Sequence, residues 1–181
     1  MFARTARLTL RPGWPEDARA LARAIAHPEV AFRLARLPWP YYETHARDWL
    51  TRAPGKADLS LLILAHDGEA PRLIGGVGVH PTETGHELGY WLTPGAWGRG
   101  YATEAGRAAL GIARHAMGLR RLESGHFVDN PASGRVLAKL GFRPIGRVEQ
   151  RYCLALDEHR PCALFELDMA EEETGPCRLA A

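Results

Sequence analysis

The stretch that most restricts how this chain folds is "WGRGYATEAG", Trp97 to Gly106, in which two glycines flank an arginine between a strand-like run and a helix-like run. Upstream, "HELGYWLTP" reads as a strand ending near Thr93. Downstream, Ala105, Ala108, Ala109, Ile112, Ala113 and Ala116 recur at helical spacing and form a small-residue face suited to close packing on a sheet. Glycine at 98 and 100 lets an anion approach the backbone, and the first N–H groups of a helix starting at Tyr101 have no partner within it. The helix dipole adds partial positive charge there, so a phosphate or pyrophosphate suits the turn. On these residues alone, a tight turn that holds no ligand fits equally well.

The spacing discriminates among phosphate carriers. A dinucleotide fingerprint G-x-G-x-x-G/A needs Gly or Ala where this chain has Thr103, and it belongs to a repeated parallel βαβ scaffold that the pattern does not show. A Walker loop needs Gly-Lys-Ser/Thr after four residues, and the chain has none.

The surrounding pattern alternates in kind. "RLTLRP" is a short half-buried strand, and "PEDARALARAIAHP" is a helix that stops before Pro28. Pro38 and Pro40 break the next segment, which becomes helical from about Glu43 to Arg52 with His45, Trp49 and Leu50 inward. "LSLLILAHDGEAPRLIGGVGVHPT" reads as an antiparallel hairpin whose second strand is weakened or bulged by Gly75, Gly76 and Gly78. "LRRLESGHFVD" is a strand, "NPASGRVLAKLGF" a helix ended by Gly141, and the segment from Arg143 to Met169 a closing hairpin. Only the middle has strand, helix, strand order. The expectation is therefore an α+β domain with a mixed, mostly antiparallel central sheet and helices on both faces, over residues 1–170, followed by a tail at 171–181.

The totals exclude some classes. With 23 basic and 21 acidic residues the formal charge is +2, too small to point to nucleic acid or a membrane surface. No run approaches the roughly 18 apolar residues of a membrane span, so a cytoplasmic location is expected. Cys153, Cys162 and Cys177 form no C-x-x-C pair and read as reduced thiols; Cys153 and Cys162 flank a hairpin turn and could lie near one another as an inert pair. The 8 histidines have no metal-ligand spacing, so no metal is expected.

Two stretches carry a resemblance. Trp97, Gly98, Arg99, Gly100, Tyr101 and Ala102 match the Gln/Arg-x-x-Gly-x-Gly/Ala signature of the GNAT superfamily of acyl-CoA-dependent N-acetyltransferases, with Trp97 departing from the usual first residue. "NPASGRVLAKLGF", Asn130 to Phe142, resembles a second motif of the branch typified by RimJ and RimL, which acetylate ribosomal-protein N-termini. The likeness runs over about residues 5–170. It implies a GNAT-like fold and direct acetyl transfer from acetyl-CoA to a primary amine, either a small molecule or a protein N-terminus, in a monomer or homodimer.

Carried over residue by residue, the resemblance implies that backbone N–H groups from Gly98 to Thr103 hold the pyrophosphate. Asn130 would contact the pantetheine arm, Leu92 and Thr93 would pair with its amides, and Arg99 and Lys139 could meet phosphates. An amine attacks only when unprotonated, and an α-amino group with a pKa of about 7.7–8.0 needs only a modest base. Glu87, at the start of the strand leading to the loop, is the first choice; His86 points to the opposite side. Ser133 is the candidate donor to the departing thiolate, with Tyr90, Tyr101 and Tyr152 in reserve. Trp39, Tyr41 and Tyr42 are candidates for the acceptor cleft. The competing reading is a non-catalytic acyl-CoA-binding sensor or scaffold, which would keep the loop and lose the base.

Overall fold

The computed structural model describes residues 1–52, 55 and 58–170. Two short strands, β1 (Ala3–Arg4) and β2 (Leu8–Arg11), lead into α1 (Ala18–Ile25), α2 (Pro28–Ala31) and α3 (Glu43–Thr51). The hairpin β3 (Leu59–Ala65) and β4 (Arg72–Pro81) follows, then β5 (His86–Leu92), α4 (Tyr101–His115) and β6 (Arg121–Phe127). The chain continues through α5 (Pro131–Lys139) into the hairpin β7 (Arg143–Cys153) and β8 (Glu158–Asp168). The strands form one sheet in the order β1-β2-β3-β4-β5-β6-β8-β7. Every neighbouring pair is antiparallel except β5 and β6. The α+β class, the mixed sheet and the helices on both faces are as the sequence led us to expect. The tail at 171–181, with Cys177, lies outside the described residues.

Alternation along the central strands decides which helix covers which face. Leu61 and Ile63 of β3, with Leu88 and Leu92 of β5, pack against Tyr101, Ala105, Ala109 and Ala113 of α4. On the other face Leu62, Leu64 and Trp91 pack against Ala18, Leu21, Ala22 and Ile25 of α1 and Ala46 of α3. The glycines of β4 make room for this second layer. A Cβ at Gly76 would lie 2.6 Å from the Trp91 indole nitrogen on this face, whereas one at Gly75 would meet the Trp91 carbonyl oxygen at 2.3 Å and the Leu92 side chain of the α4 layer at 2.6 Å. The expected bulge falls beside them, where the β3–β4 register shifts between Ile63 and Leu64.

Three local expectations are corrected. Pro28 does not only follow a helix; it opens α2 at the first-turn position where proline loses no hydrogen bond. In α3 the buried residue is Ala46, while Trp49 is 40% exposed and so does not face inward. Cys153 and Cys162 are both buried beside Phe127 and both free, but the hairpin register sets Cys153 opposite Glu158 and Cys162 opposite Glu149. Among the described residues, no helix is long and apolar enough to cross a membrane.

Candidate active site

The parallel pair β5–β6 holds at a single register point, Glu87 opposite Glu123. Beyond it the strands part, and the gap opens toward the end of β5, where the chain turns into α4. Tyr90 on β5 spans the gap to α5, its hydroxyl donating to the Ser133 carbonyl at 3.0 Å and lying 2.8 Å from Ser133 Oγ. Burial pushes the Tyr90 phenol up to about 12, the Ser133 hydrogen bond only partly opposing it, so this bridge keeps its proton at neutral pH.

At the mouth of the gap the backbone is shaped by two glycines with positive φ, Gly98 at 72° and Gly100 at 80°. Gly100 is the N-cap of α4 and has no side chain to cap it, and the first intrahelical bond runs from Glu104 N to the Gly100 carbonyl at 3.1 Å. The N–H groups of Tyr101, Ala102 and Thr103 therefore emerge at the dipole's positive end with no intrahelical partner. A cleft of about 480 Å³ adjoins this end, lined by Arg7, Gly100, Thr103, Glu104, Arg107 and Lys139. Lys139 comes from the end of α5; Arg7 and Arg107 come from β2's approach and from α4 and carried no motif.

Two expected contacts are redirected. Arg99 does not point into the cleft: its Nη1 donates to Asp67 at 2.8 Å, on the β3–β4 turn, and its guanidinium lies 5.0 Å from the centre of the Tyr101 ring. Tyr101 is buried and donates its hydroxyl to the same carboxylate at 3.0 Å, so only its backbone N–H faces the loop's mouth. Hydrogen bonding from Tyr101 outweighs the cost of burial and, with Arg72 and Arg99 nearby, holds the Asp67 carboxyl below its ordinary range.

At the end of β5 the accounting of backbone groups is also specific. Thr93 N donates to the Ile74 carbonyl at 2.8 Å and the Thr93 carbonyl accepts from Ala96 N at 2.9 Å, so the Thr93 N–H is committed to β4 and its carbonyl is engaged by the turn. The Leu92 carbonyl accepts the Trp97 indole N–H at 2.8 Å, which gives Trp97 its role as the strut closing this turn. Since Thr93 bonds toward β4, alternation turns the N–H groups of Leu92 and Tyr90 toward β6. The backbone groups of β5 that face β6 are therefore those of Tyr90 and Leu92. The signal was available in the strand period, which places residues two apart on the same edge.

Glu87 alternates with Leu88 and so lies on the α1–α3 face, opposite the α4 layer. Arg151 of β7 reaches it, Nη1 to Oε1 at 2.7 Å, and also holds Glu149 through Nη2 at 2.9 Å. Burial works against the Arg151 charge, but the Glu87 carboxylate outweighs it and the guanidinium titrates above the ordinary arginine range. Gly89, next on this face of β5, has nothing within 4 Å of where a Cβ would stand, so the space beside Glu87 is open. His86 falls on the other face, where its buried Nε2 has no hydrogen-bond partner. Asn130 caps α5 in sequence but makes no side-chain cap bond, and Ser133 N donates to its carbonyl at 3.1 Å. Among the aromatics proposed for the acceptor cleft, Trp39 packs edge-on to Phe32 and Tyr41 meets His45 at a tilt of 58°, while Tyr42 is exposed.

The arrangement fits acetyl-CoA: a glycine-shaped helix start for the pyrophosphate, a parted strand pair for the arm, and a hydroxyl bridge with a carboxylate farther back along β5. A family model described as an acetyltransferase (GNAT) domain matches residues 7–143. The uncharacterized N-acetyltransferase YoaA of Bacillus subtilis is 35% identical over 85 residues, covering 45% of this chain and 48% of that protein, so the match spans about half the relative's length. Phosphinothricin N-acetyltransferase of Streptomyces coelicolor is 30% identical over 148 residues, 78% of this chain and 85% of the relative. Among solved structures, a GNAT-family acetyltransferase from Bacillus anthracis superposes with a TM-score of 0.80 at 22% identity over 94% of this chain and 100% of the other. RimL, a ribosomal L7/L12 α-N-protein acetyltransferase in complex with coenzyme A, superposes with a TM-score of 0.77 at 16% identity over 93% and 98%.

Proposed function

The chain belongs to the GNAT acetyltransferase family and is an acetyl-CoA-dependent N-acetyltransferase; from that premise we propose that it acetylates α-amino groups, with Glu87 as the base and Ser133 as the donor to the leaving thiolate. The observation that carries this reading is the position of Glu87 on the acceptor face, beside the open space at Gly89 and just before the point where β5 and β6 part. Acetyl-CoA supplies an activated acyl carbon. The protein's task is to hold the arm straight, admit an unprotonated amine and receive its proton.

An α-amino group, with an ordinary pKa of about 7.7–8.0, presents its unprotonated form near neutral pH and asks little of a base, whereas a lysine side chain at about 10.4 stays charged. On the other side of the gap Tyr90 keeps its proton and donates it to the Ser133 carbonyl, so the Ser133 hydroxyl rests on the Tyr90 oxygen 2.8 Å away and would turn its hydrogen to the sulfur as negative charge develops there. Backbone N–H groups from Gly98 to Thr103, with Lys139 beside them, would hold the phosphates, Leu92 and Tyr90 the arm, and Asn130 its outer edge. Residues 1–170 work in this reading as one domain with a complete site in each chain, as a monomer or homodimer, in the cytoplasm.

The likeness to RimL supports a protein N-terminus as acceptor, and the likeness to phosphinothricin N-acetyltransferase supports a small-molecule amine. A thiol-release assay with short peptides bearing free N-termini, small α-amines and Nα-acetyl-lysine separates these. Turnover with α-amines and none with the lysine derivative is expected, with Glu87→Gln lowering kcat about 100-fold on the best acceptor. Full turnover in Glu87→Gln would remove Glu87 from the mechanism.

A further inference from the structure

The strongest feature not absorbed by that reading is the ion pair that ties Glu87 to β7. In the sheet order, β6 and β8 lie between β5 and β7, so the Arg151 and Glu87 side chains meet over two intervening strands. Both are largely withdrawn from water, with 27% and 21% of their side chains exposed. A long reach to a specific partner under partial desolvation is unlike an incidental surface pair, and removing one member leaves the other charge poorly solvated.

The other charged groups around Glu87 are committed elsewhere or have no positive charge to give. Across from it on β4, His80 is bonded to Asp58 at 2.7 Å. On β6, Glu123 accepts from Thr84 at 2.9 Å. Glu149 shares Arg151, and Cys162 of β8 is a buried thiol that burial pushes up and so keeps neutral. Arg151 is the guanidinium that faces the carboxylate, and it grips one oxygen, Oε1, at 2.7 Å.

The structure assigns Arg151 as a positioning residue: by holding Glu87 Oε1 it fixes the carboxylate on the acceptor face and presents Oε2 to the amine or to a water between them. This rests on the reading of Glu87 as base. Arg151 touches neither the amine nor acetyl-CoA. Its second bond, to Glu149, holds the guanidinium from the far side, so Glu87 is gripped by a partner that is itself fixed. No feature of the β7 sequence announces this, because the partners are 64 residues apart.

A double-mutant cycle over Glu87 and Arg151 tests it, using the intact chain with acetyl-CoA and the best α-amine acceptor. Arg151→Met should lower kcat about 10- to 100-fold, since misplacing a catalytic group by an ångström costs that much, with KM for acetyl-CoA unchanged. Arg151→Lys, which keeps a donor and a charge and is the variant to use if the methionine variant does not fold, should recover most of the loss. In a Glu87→Gln background, Arg151→Met should change kcat less than about twofold, because the group it positions has already gone. An equal loss in both backgrounds would overturn the assignment while leaving Glu87 as base. If Glu87→Gln alone left kcat intact, the base reading would fall, and a loss on Arg151→Met would then show the arginine acting on its own account. Unchanged kcat in Arg151→Met would overturn the assignment directly.

Discussion

The two sides of the cleft are made from different material. In the proposed reading the cosubstrate side is backbone: two glycines in the left-handed region, the first N–H groups of α4, and the edge of β5 at Tyr90 and Leu92, all within a short stretch of chain. The proposed acceptor side is side chain: Glu87 from β5, Arg151 and Glu149 from β7, and the α1–α3 layer above them. A backbone site requires only a local conformation, which glycine and a helix start are enough to specify. A side-chain site requires strands far apart in sequence to be brought together, so it exists only once the sheet has closed.

The sharpest way to break this contrast is to put a side chain into the backbone half. Gly100 sits at φ 80° as the N-cap of α4, where a β-branched residue is strained and its methyls would stand over the emerging N–H groups. Gly100→Val should raise the dissociation constant of acetyl-CoA about 100-fold, or roughly 2.7 kcal/mol by calorimetry. Glu87→Gln, on the acceptor side, should leave the same constant within about twofold. Unchanged affinity in a folded Gly100→Val protein would mean that the turn is only a turn.

A smaller effect is expected where the halves meet. Ser133 stands across the gap from β5 and belongs to neither side alone, held by Tyr90 at 2.8 Å. Ser133→Ala should lower kcat about tenfold, roughly 1.4 kcal/mol of leaving-group stabilisation, with the dissociation constant of acetyl-CoA unchanged. A loss confined to binding would make the serine a part of the cosubstrate side and not of the chemistry.

How much could be read in advance follows the same division. The hairpins, the parallel β5–α4–β6 unit and the glycine turn were legible because each is written in local periodicity or spacing. β1 was not, since two residues carry no period, and α2 was hidden because Pro28 signals a stop as readily as a start. Strand alternation also carried which N–H groups of β5 face β6, those of Tyr90 and Leu92 and not that of Thr93. Arg99 was drawn to the phosphates by its place in the motif, whereas Asp67, 32 residues away, claims it. Arg151 could not have been found, because its meaning depends on a register that no stretch of β7 specifies.

The smallest effect lies at the root of the acceptor side, where α1 joins the sheet. Arg11 grips Asp17 with two bonds, Nη1 to Oδ2 at 2.7 Å and Nη2 to Oδ1 at 2.8 Å, both side chains being 14% exposed. The Trp14 N–H adds a third bond to Oδ2 at 2.8 Å. The Arg11 hydrogen bond outweighs burial and holds the Asp17 carboxyl below its ordinary value. A carboxyl lowered in the folded state stabilises above its unfolded pKa of about 3.9, and that contribution is lost as pH falls through the lower folded value. Asp17→Asn should therefore cost about 1 kcal/mol near neutral pH, or about 2–4 °C in Tm, and the gap to the wild type should stay level from about pH 8 to 5 and close below about pH 4. Acetyl-CoA affinity at neutral pH should not move, since the pair anchors the layer on the opposite face from α4. A gap that persisted unchanged into acid would show that α1 is seated by packing alone. The acceptor side would then owe its charges to catalysis and none of them to its architecture.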